Sequence, residues 1–206
     1  MLRDIDYARQ SLEQHFCYQI IKRLVDIAVA VIGLLLLSVP FFIICIAIKI
    51  ETPGPAFFRQ LRMGRGAKPF YCYKFRTMLI SAPKNCSAAK LNNRKAVVTR
   101  VGGFLRKSSI DELPQLLNVL KGDMSLVGPR PLILNETWIN EEREKLGIYL
   151  LRPGITGLAQ ICGRNHISDT DKLYFDKYYL TNFSIWLDMK IVFGTFLYVL
   201  QQKDIL

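Results

Sequence analysis

Ile27-Ala-Val-Ala-Val-Ile-Gly-Leu-Leu-Leu-Leu-Ser38-Val39-Pro40-Phe-Phe-Ile-Ile-Cys-Ile-Ala-Ile48 holds no charged residue. A helix that spans a bilayer needs about 20 apolar residues, and this run is long enough. Buried helices of soluble domains usually keep a polar stripe and run shorter, so the stretch reads as a membrane segment. Pro40, near its middle, removes one backbone hydrogen bond and crowds the preceding turn. That predicts a break or bend near Val39, with the Ser38 hydroxyl satisfying a freed carbonyl.

Lys22 and Arg23 precede the run, and Lys49, Arg59, Arg62, Arg65 and Lys68 follow it. Both flanks carry the positive charge of cytoplasmic segments. A straight span would leave one basic end outside, whereas a bend at Ser38 to Pro40 returns both ends to one face. The expectation is a re-entrant helix-break-helix hairpin whose bracketing charges, Asp26 and Lys49, snorkel to the headgroups. A cleaved signal peptide does not fit, because the run starts late and lacks a small-residue cleavage site.

The division that follows has three parts. Residues 1–21 form an N-terminal interfacial segment, with Tyr7, Leu12, Phe16 and Ile20 at near-helical spacing; 22–52 form the hairpin; 53–206 form a compact cytoplasmic domain. The fold class is α+β, mostly helical. Lys and Arg outnumber Asp and Glu by 28 to 17, a net charge of +11. An anionic partner is implied: phospholipid headgroups, nucleotide phosphates or nucleic acid. The five cysteines, Cys17, Cys45, Cys72, Cys86 and Cys162, lack metal-ligand spacing and read as reduced thiols.

Past the hairpin, Thr52-Pro53-Gly54-Pro55 turns the chain out of the membrane. Ala56 to Gln60, a Gly-rich turn at Met63 to Ala67, and Pro69 to Phe75 read as strand, turn and strand. Ser81 to Lys95 is small, polar and basic and reads as a surface loop or lid. Leu173 to Leu200, with Trp186 and several tyrosines, suits helices at the membrane interface.

Chemistry concentrates between Arg106 and Pro131. Ser109 and Glu112 have capping-box spacing and Gly122 supplies a stop, so a short helix is expected between them, starting at Ser109 or, given Pro114, at Asp111. Asp111 and Glu112 then occupy a helix N-terminus. Complementing the helix dipole would account for them alone. Arg106 and Arg130, the latter fixed between two prolines, add cations of the kind that an attack by a carboxylate on an anionic phosphodiester requires, together with a metal ion.

Several segments carry a family resemblance: Lys22-Arg23-Leu-Val-Asp26, the Ser38-Val39-Pro40 break, Tyr73-Lys74-Phe75-Arg76-Thr77-Met78, Ile110-Asp111-Glu112-Leu113-Pro114-Gln115-Leu116, Val127-Gly128-Pro129-Arg130-Pro131, Arg152-Pro153-Gly154-Ile155-Thr156-Gly157, and Gly163-Arg164-Asn165. In this order they resemble the bacterial sugar transferases, the small monotopic phosphoglycosyl transferases of the inner membrane. The resemblance implies transfer of a sugar-1-phosphate from a nucleoside diphosphate sugar to polyprenyl phosphate, the first membrane step of a surface glycan. It implies Asp111 as covalent nucleophile, Glu112 as a Mg²⁺ ligand, and Lys74, Arg106, Arg130 and Arg164 as phosphate ligands. Asp176 and Asp188 are implied as supporting polar residues, with a structural role equally open. Asp169 stands where the family often shows an aromatic residue.

Two other readings compete. Lys74 and Arg76 among aromatics suit a nucleic-acid surface, which leaves the hairpin unexplained. A noncatalytic scaffold on anionic inner-membrane lipid leaves the Asp111-Glu112 dyad unexplained. The expected partners are therefore nucleoside diphosphate sugar, polyprenyl phosphate and anionic lipid, without nucleic acid. The sequence leaves the sugar and the oligomeric state open.

Overall fold

A computed structural model of the chain describes residues 2–82, 97–163 and 167–200. The apolar run forms the middle of one helix. α1 (Leu2–Gln14) leads into α2 (Phe16–Glu51), 36 residues long, with Pro40 inside it. Among the described residues α2 is the one helix long and apolar enough to cross a membrane, with a mean hydropathy of 3.0 over its 18-residue window. The break expected near Val39 does not interrupt the helix, which runs on through Pro40. Pro40 lacks only its own N–H, and the ladder resumes on either side. The Ser38 hydroxyl donates to the Leu35 carbonyl at 2.8 Å, not to the Leu36 carbonyl that Pro40 leaves unpaired in an α-helical register.

Both sides of Pro40 pack on the same body. Ala30, Leu34 and Leu37 join Cys72, Leu116, Val119 and Met124. Phe41, Ile44, Cys45 and Ile48 join Ala56, Phe75 and Leu105, with the Phe41 and Phe75 rings edge to face at 5.0 Å. The opposite face, including Leu24, Leu35, Leu36, Val39, Phe42 and Ile43, is exposed. Asp26 does not snorkel: it is 3% exposed and accepts a hydrogen bond from the Leu126 N–H at 3.0 Å.

β1 (Phe57–Met63) and β2 (Pro69–Phe75) pair antiparallel around a 3₁₀ turn (Arg65–Ala67), as the sequence predicts, with Phe58 opposite Lys74. α3 (Arg100–Lys107) is capped by the Thr99 hydroxyl, which accepts from the Gly102 N–H at 2.9 Å. The Glu51 carboxylate accepts from the Arg100 and Val101 N–H groups. Gly102 is required there, because a Cβ would collide with the Thr77 backbone. The expected lid at 81–95 lies largely outside the described residues.

A 3₁₀ helix (Ile110–Gln115) continues into α4 (Leu116–Lys121), which Gly122 ends in the left-handed conformation at φ 91°. The stop holds; the capping box does not. Ser109 itself is left-handed at φ 57° and its side chain does not cap, while Glu112 turns to two cations instead.

β3 (Ser125–Val127) and β4 (Gly154–Thr156) pair in parallel. Between them lie α5 (Thr137–Lys145) and a 3₁₀ turn (Ile148–Leu150); α6 (Leu158–Gly163), α7 (Asp169–Asn182) and α8 (Ile185–Leu200) follow. Residues 173–200 fall in two helices, α7 and α8, parted at Phe183 and Ser184, and α8 exposes Trp186, Met189, Phe193 and Phe196. In the N-terminal segment, Phe16 and Ile20 are exposed, but Ala8 and Leu12 of α1 are buried in clusters with Leu132, Ile139, Val127 and Tyr179.

Candidate active site

The dyad is docked on β2 by one buried amide. Asn118 of α4 donates from Nδ2 to the Tyr71 carbonyl at 2.7 Å and accepts on Oδ1 from the Tyr73 N–H at 3.0 Å, so it stands in for a neighbouring strand. This presents Lys74 to Glu112. Lys74 Nζ lies 2.6 Å from Glu112 Oε1, and Arg130 NH2 reaches the same oxygen at 3.0 Å. The Glu112 side chain is 18% exposed and that of Arg130 42% exposed, so the pair faces outward.

Asp111 sits among the same charges in a different state. It makes no hydrogen bond or ion pair with the described residues. Burial pushes its carboxyl above the ordinary value; Lys74 pulls it down, Glu112 pushes it up, and Arg106 and Arg130 pull it down, leaving a net rise. The first turn here is 3₁₀ rather than α-helical, and four charged side chains act on Asp111. At Glu112, burial also raises, but Arg130 and Lys74 outweigh it and hold the carboxyl well below the usual range. The neighbouring Glu112 carboxylate in turn raises Arg130. Three cations, Lys74, Arg106 and Arg130, therefore face two carboxylates, one tightly paired and one not. Such a site attracts phosphate and keeps a carboxylate available to it.

Arg106 comes from α3, where its Nε donates to the Thr77 hydroxyl at 2.8 Å. Arg164 lies outside the described residues. Asp176 and Asp188 are not at the dyad. Asp176 pairs with Arg143 at 2.5 Å, both side chains 2–3% exposed. Asp188 accepts from Lys22 Nζ at 2.7 Å, Tyr18 OH at 2.8 Å and Tyr179 OH at 2.7 Å, tying α2 to α7 and α8. A partly open cavity of about 50 Å³ adjoins this knot, lined by Tyr18, Lys22, Arg23, Arg152 and Tyr179, and is separate from the dyad. Asp169 sits in the first turn of α7, paired with Lys172 at 2.7 Å.

Arg76 belongs to the scaffold. It is 6% exposed and donates to the Pro53 and Thr52 carbonyls at 2.6 and 2.7 Å. Lys74 is committed to Glu112. Among the described residues no three His, Cys, Asp or Glu side chains cluster as a metal site. Asp111 and Glu112 are adjacent carboxylates of the kind Mg²⁺ takes from a protein when substrate phosphates complete its shell.

Sequence reasoning missed Asn118, Thr77, Arg62 and Arg143. Thr77 lay within a quoted motif, and Asn118 is a lone polar residue in Gln-Leu-Leu-Asn-Val-Leu, where an unexpected amide in an apolar run is the available signal.

The profile of the family described as bacterial sugar transferase matches residues 17–202. The chain belongs to that family. It is similar to an uncharacterized sugar transferase, EpsL, of Bacillus subtilis (strain 168), at 43% identity over 90% of each chain. It is also 43% identical to the UDP-glucose:undecaprenyl-phosphate glucose-1-phosphate transferase of Escherichia coli (strain K12), over 86% of this chain and 39% of that one. A UDP-N-acetylgalactosamine-undecaprenyl-phosphate N-acetylgalactosaminephosphotransferase of Aeromonas hydrophila matches at 43% over 86% of this chain and 43% of its own. This member of the family thus spans less than half the length of several curated relatives and nearly all of the Bacillus one.

Proposed function

We propose that this sugar transferase moves a sugar-1-phosphate from a UDP-sugar to polyprenyl phosphate, giving polyprenyl-diphosphate-sugar and UMP as the first membrane step of a bacterial surface glycan. The observation that carries the reading is Asp111: a carboxylate without a hydrogen-bond partner among the described residues, beside a Glu112 held by Lys74 and Arg130. The names of the relatives support UDP-sugar and undecaprenyl phosphate as the substrate classes. A panel of UDP-sugars with undecaprenyl phosphate and Mg²⁺, followed by UMP release, tests it. Turnover of at least one donor is expected, and none with any donor or with other nucleotide sugars contradicts it.

In the mechanism, an Asp111 carboxylate oxygen attacks the sugar-linked phosphorus and the bond to UMP breaks. The sugar-phosphate is left as an acyl phosphate on Asp111. An oxygen of the lipid phosphate then attacks that phosphorus, and the acyl-phosphate bond breaks to restore the carboxylate. Lys74, Arg106 and Arg130 offset the repulsion between attacking carboxylate and phosphate, and Arg164 is assigned to the same task by its motif. Glu112 would hold Mg²⁺ together with the donor phosphates, and that ion would supply neutralisation of the diphosphate charge.

The membrane reading is of a re-entrant segment with the catalytic body on the cytoplasmic face of the inner membrane. At about 1.5 Å per residue, α2 is about 54 Å long against a hydrocarbon core of about 30 Å. Its two ends tie to one body: Lys22 to Asp188, and Glu51 to the start of α3. Because one face of residues 30–48 packs on that body, a perpendicular crossing would drag the domain into lipid. Cysteine labelling beside Lys22 and Glu51 in intact cells should reach neither from outside; labelling of one means a true crossing.

A further inference from the structure

Arg130 stands between Pro129 and Pro131, which have no N–H, so this tripeptide is anchored through its carbonyls. All three are taken. The Gly154 N–H donates to the Pro129 carbonyl at 2.9 Å. Arg143 NH1 donates to the Arg130 carbonyl at 2.7 Å, and its NH2 is held by Asp176 Oδ2 at 2.5 Å. Arg62 NH1 donates to the Pro131 carbonyl at 3.0 Å, while its NH2 is held by Gln60 Oε1 at 2.6 Å. Two guanidiniums from different elements, α5 and β1, thus grip adjacent carbonyls, each fixed behind by its own acceptor.

This is more than fold stability asks for. A buried ion pair such as Arg143–Asp176 can usually be exchanged for apolar residues of similar volume at little cost. Here one arm of Arg143 reaches the carbonyl of the residue that touches Glu112, and one arm of Arg62 reaches the carbonyl of the residue after it. Arg130 itself is the more exposed partner of its ion pair, with a long side chain whose direction depends on the Cα it starts from.

We propose that Arg143, oriented by Asp176, and Arg62 are positioning residues that hold the Pro129–Pro131 backbone so that the Arg130 guanidinium stays on Glu112 beside Asp111. Neither touches the dyad in this arrangement. The inference rests on the catalytic reading of the dyad, and its test includes a readout that needs no turnover.

The pair is replaced by apolar residues in the variant Arg143→Met/Asp176→Leu of the full chain, in detergent. The guanidinium resonances of Arg130 are followed in protein carrying ¹⁵N-arginine and assigned by their loss in Arg130→Lys. The folded variant is expected to keep a cooperative melt while the Arg130 signal moves to that of a solvated guanidinium. Turnover should fall by up to about 10²-fold, in kcat more than in KM. The same replacement made in Arg130→Ala should cost no more than about twofold, because the residue being positioned is gone. An unchanged Arg130 signal, or an equal loss in both backgrounds, overturns the proposal. Should the double variant not fold, Arg143→Lys keeps a cation for Asp176 without the second arm, and the same two readouts apply to it. If the wild type turns over no donor, the resonance alone decides, and the catalytic reading fails separately.

Discussion

Glu112 and Asp188 each collect charge-assisted hydrogen bonds on a partly buried carboxylate, yet their surroundings differ in balance. Asp188 takes one cation, Lys22, and two phenols, Tyr18 and Tyr179. Its charge is matched and its donors join α2, α7 and α8, so the knot fastens the helix to the body. Glu112 takes two cations on one oxygen, with Arg106 close by and Asp111 adjacent. That cluster has more positive charge than its carboxylates use. A matched knot holds scaffold together, whereas an overcharged one with an unpaired carboxylate awaits an anion.

The largest expected separation between the two is in activity. Glu112→Gln should lower turnover by at least about 10²-fold, since it removes the negative charge that holds Lys74 and Arg130. Asp188→Asn should change turnover by less than about threefold. UMP release by the two purified variants checks this, and similar losses at both positions would break the distinction.

The next effect is in stability, with the order reversed. Asp188→Asn leaves Lys22 without its carboxylate in a part-buried place and should cost about 1–3 kcal/mol, lowering Tm by roughly 2–4 °C for each kcal/mol in a chain of this size. A melt indistinguishable from wild type would assign the knot no structural work.

The smallest effects are in pH dependence, where the dyad partners should move in opposite senses. Glu112 is held below its ordinary value, so its contribution is complete above an unfolded pKa of about 4.3 and is lost as pH falls toward the folded value. Glu112→Gln should flatten that acid loss of Tm. Asp111 is raised, so its ionisation opposes folding once pH exceeds an unfolded pKa of about 3.9. Asp111→Asn should therefore melt slightly higher than wild type near pH 7, with the gain vanishing below about pH 4. The same sign of change in both variants would contradict the assignment of the two environments.

Local patterns read well from sequence: the uncharged run, the strand-turn-strand at 57–75 and the stop at Gly122 each depend on neighbours along the chain. Asp111, Glu112, Lys74 and Arg130 are legible through motif resemblance, and the structure brings them together. Arg143 was not legible. It lies in Glu141-Glu142-Arg143-Glu144-Lys145, which reads as a solvated helix face, yet it is 1% exposed because its partner Asp176 waits 33 residues on. Ser109 misled for a related reason: its spacing to Glu112 fits a cap, but long-range cations outcompete the local N–H for the glutamate. At Pro40 the sequence shows a missing donor and cannot show that the body packs against both sides of it.

The central claim is that Asp111 is the group that takes up the sugar-phosphate. Purified enzyme incubated with a donor UDP-sugar and Mg²⁺, without polyprenyl phosphate, should release up to one equivalent of UMP and gain a sugar-phosphate mass on the peptide containing Asp111, and Asp111→Asn should show neither. Wild-type enzyme that turns over normally with lipid present but shows neither burst nor adduct in its absence would contradict the covalent account and favour direct transfer to the lipid phosphate.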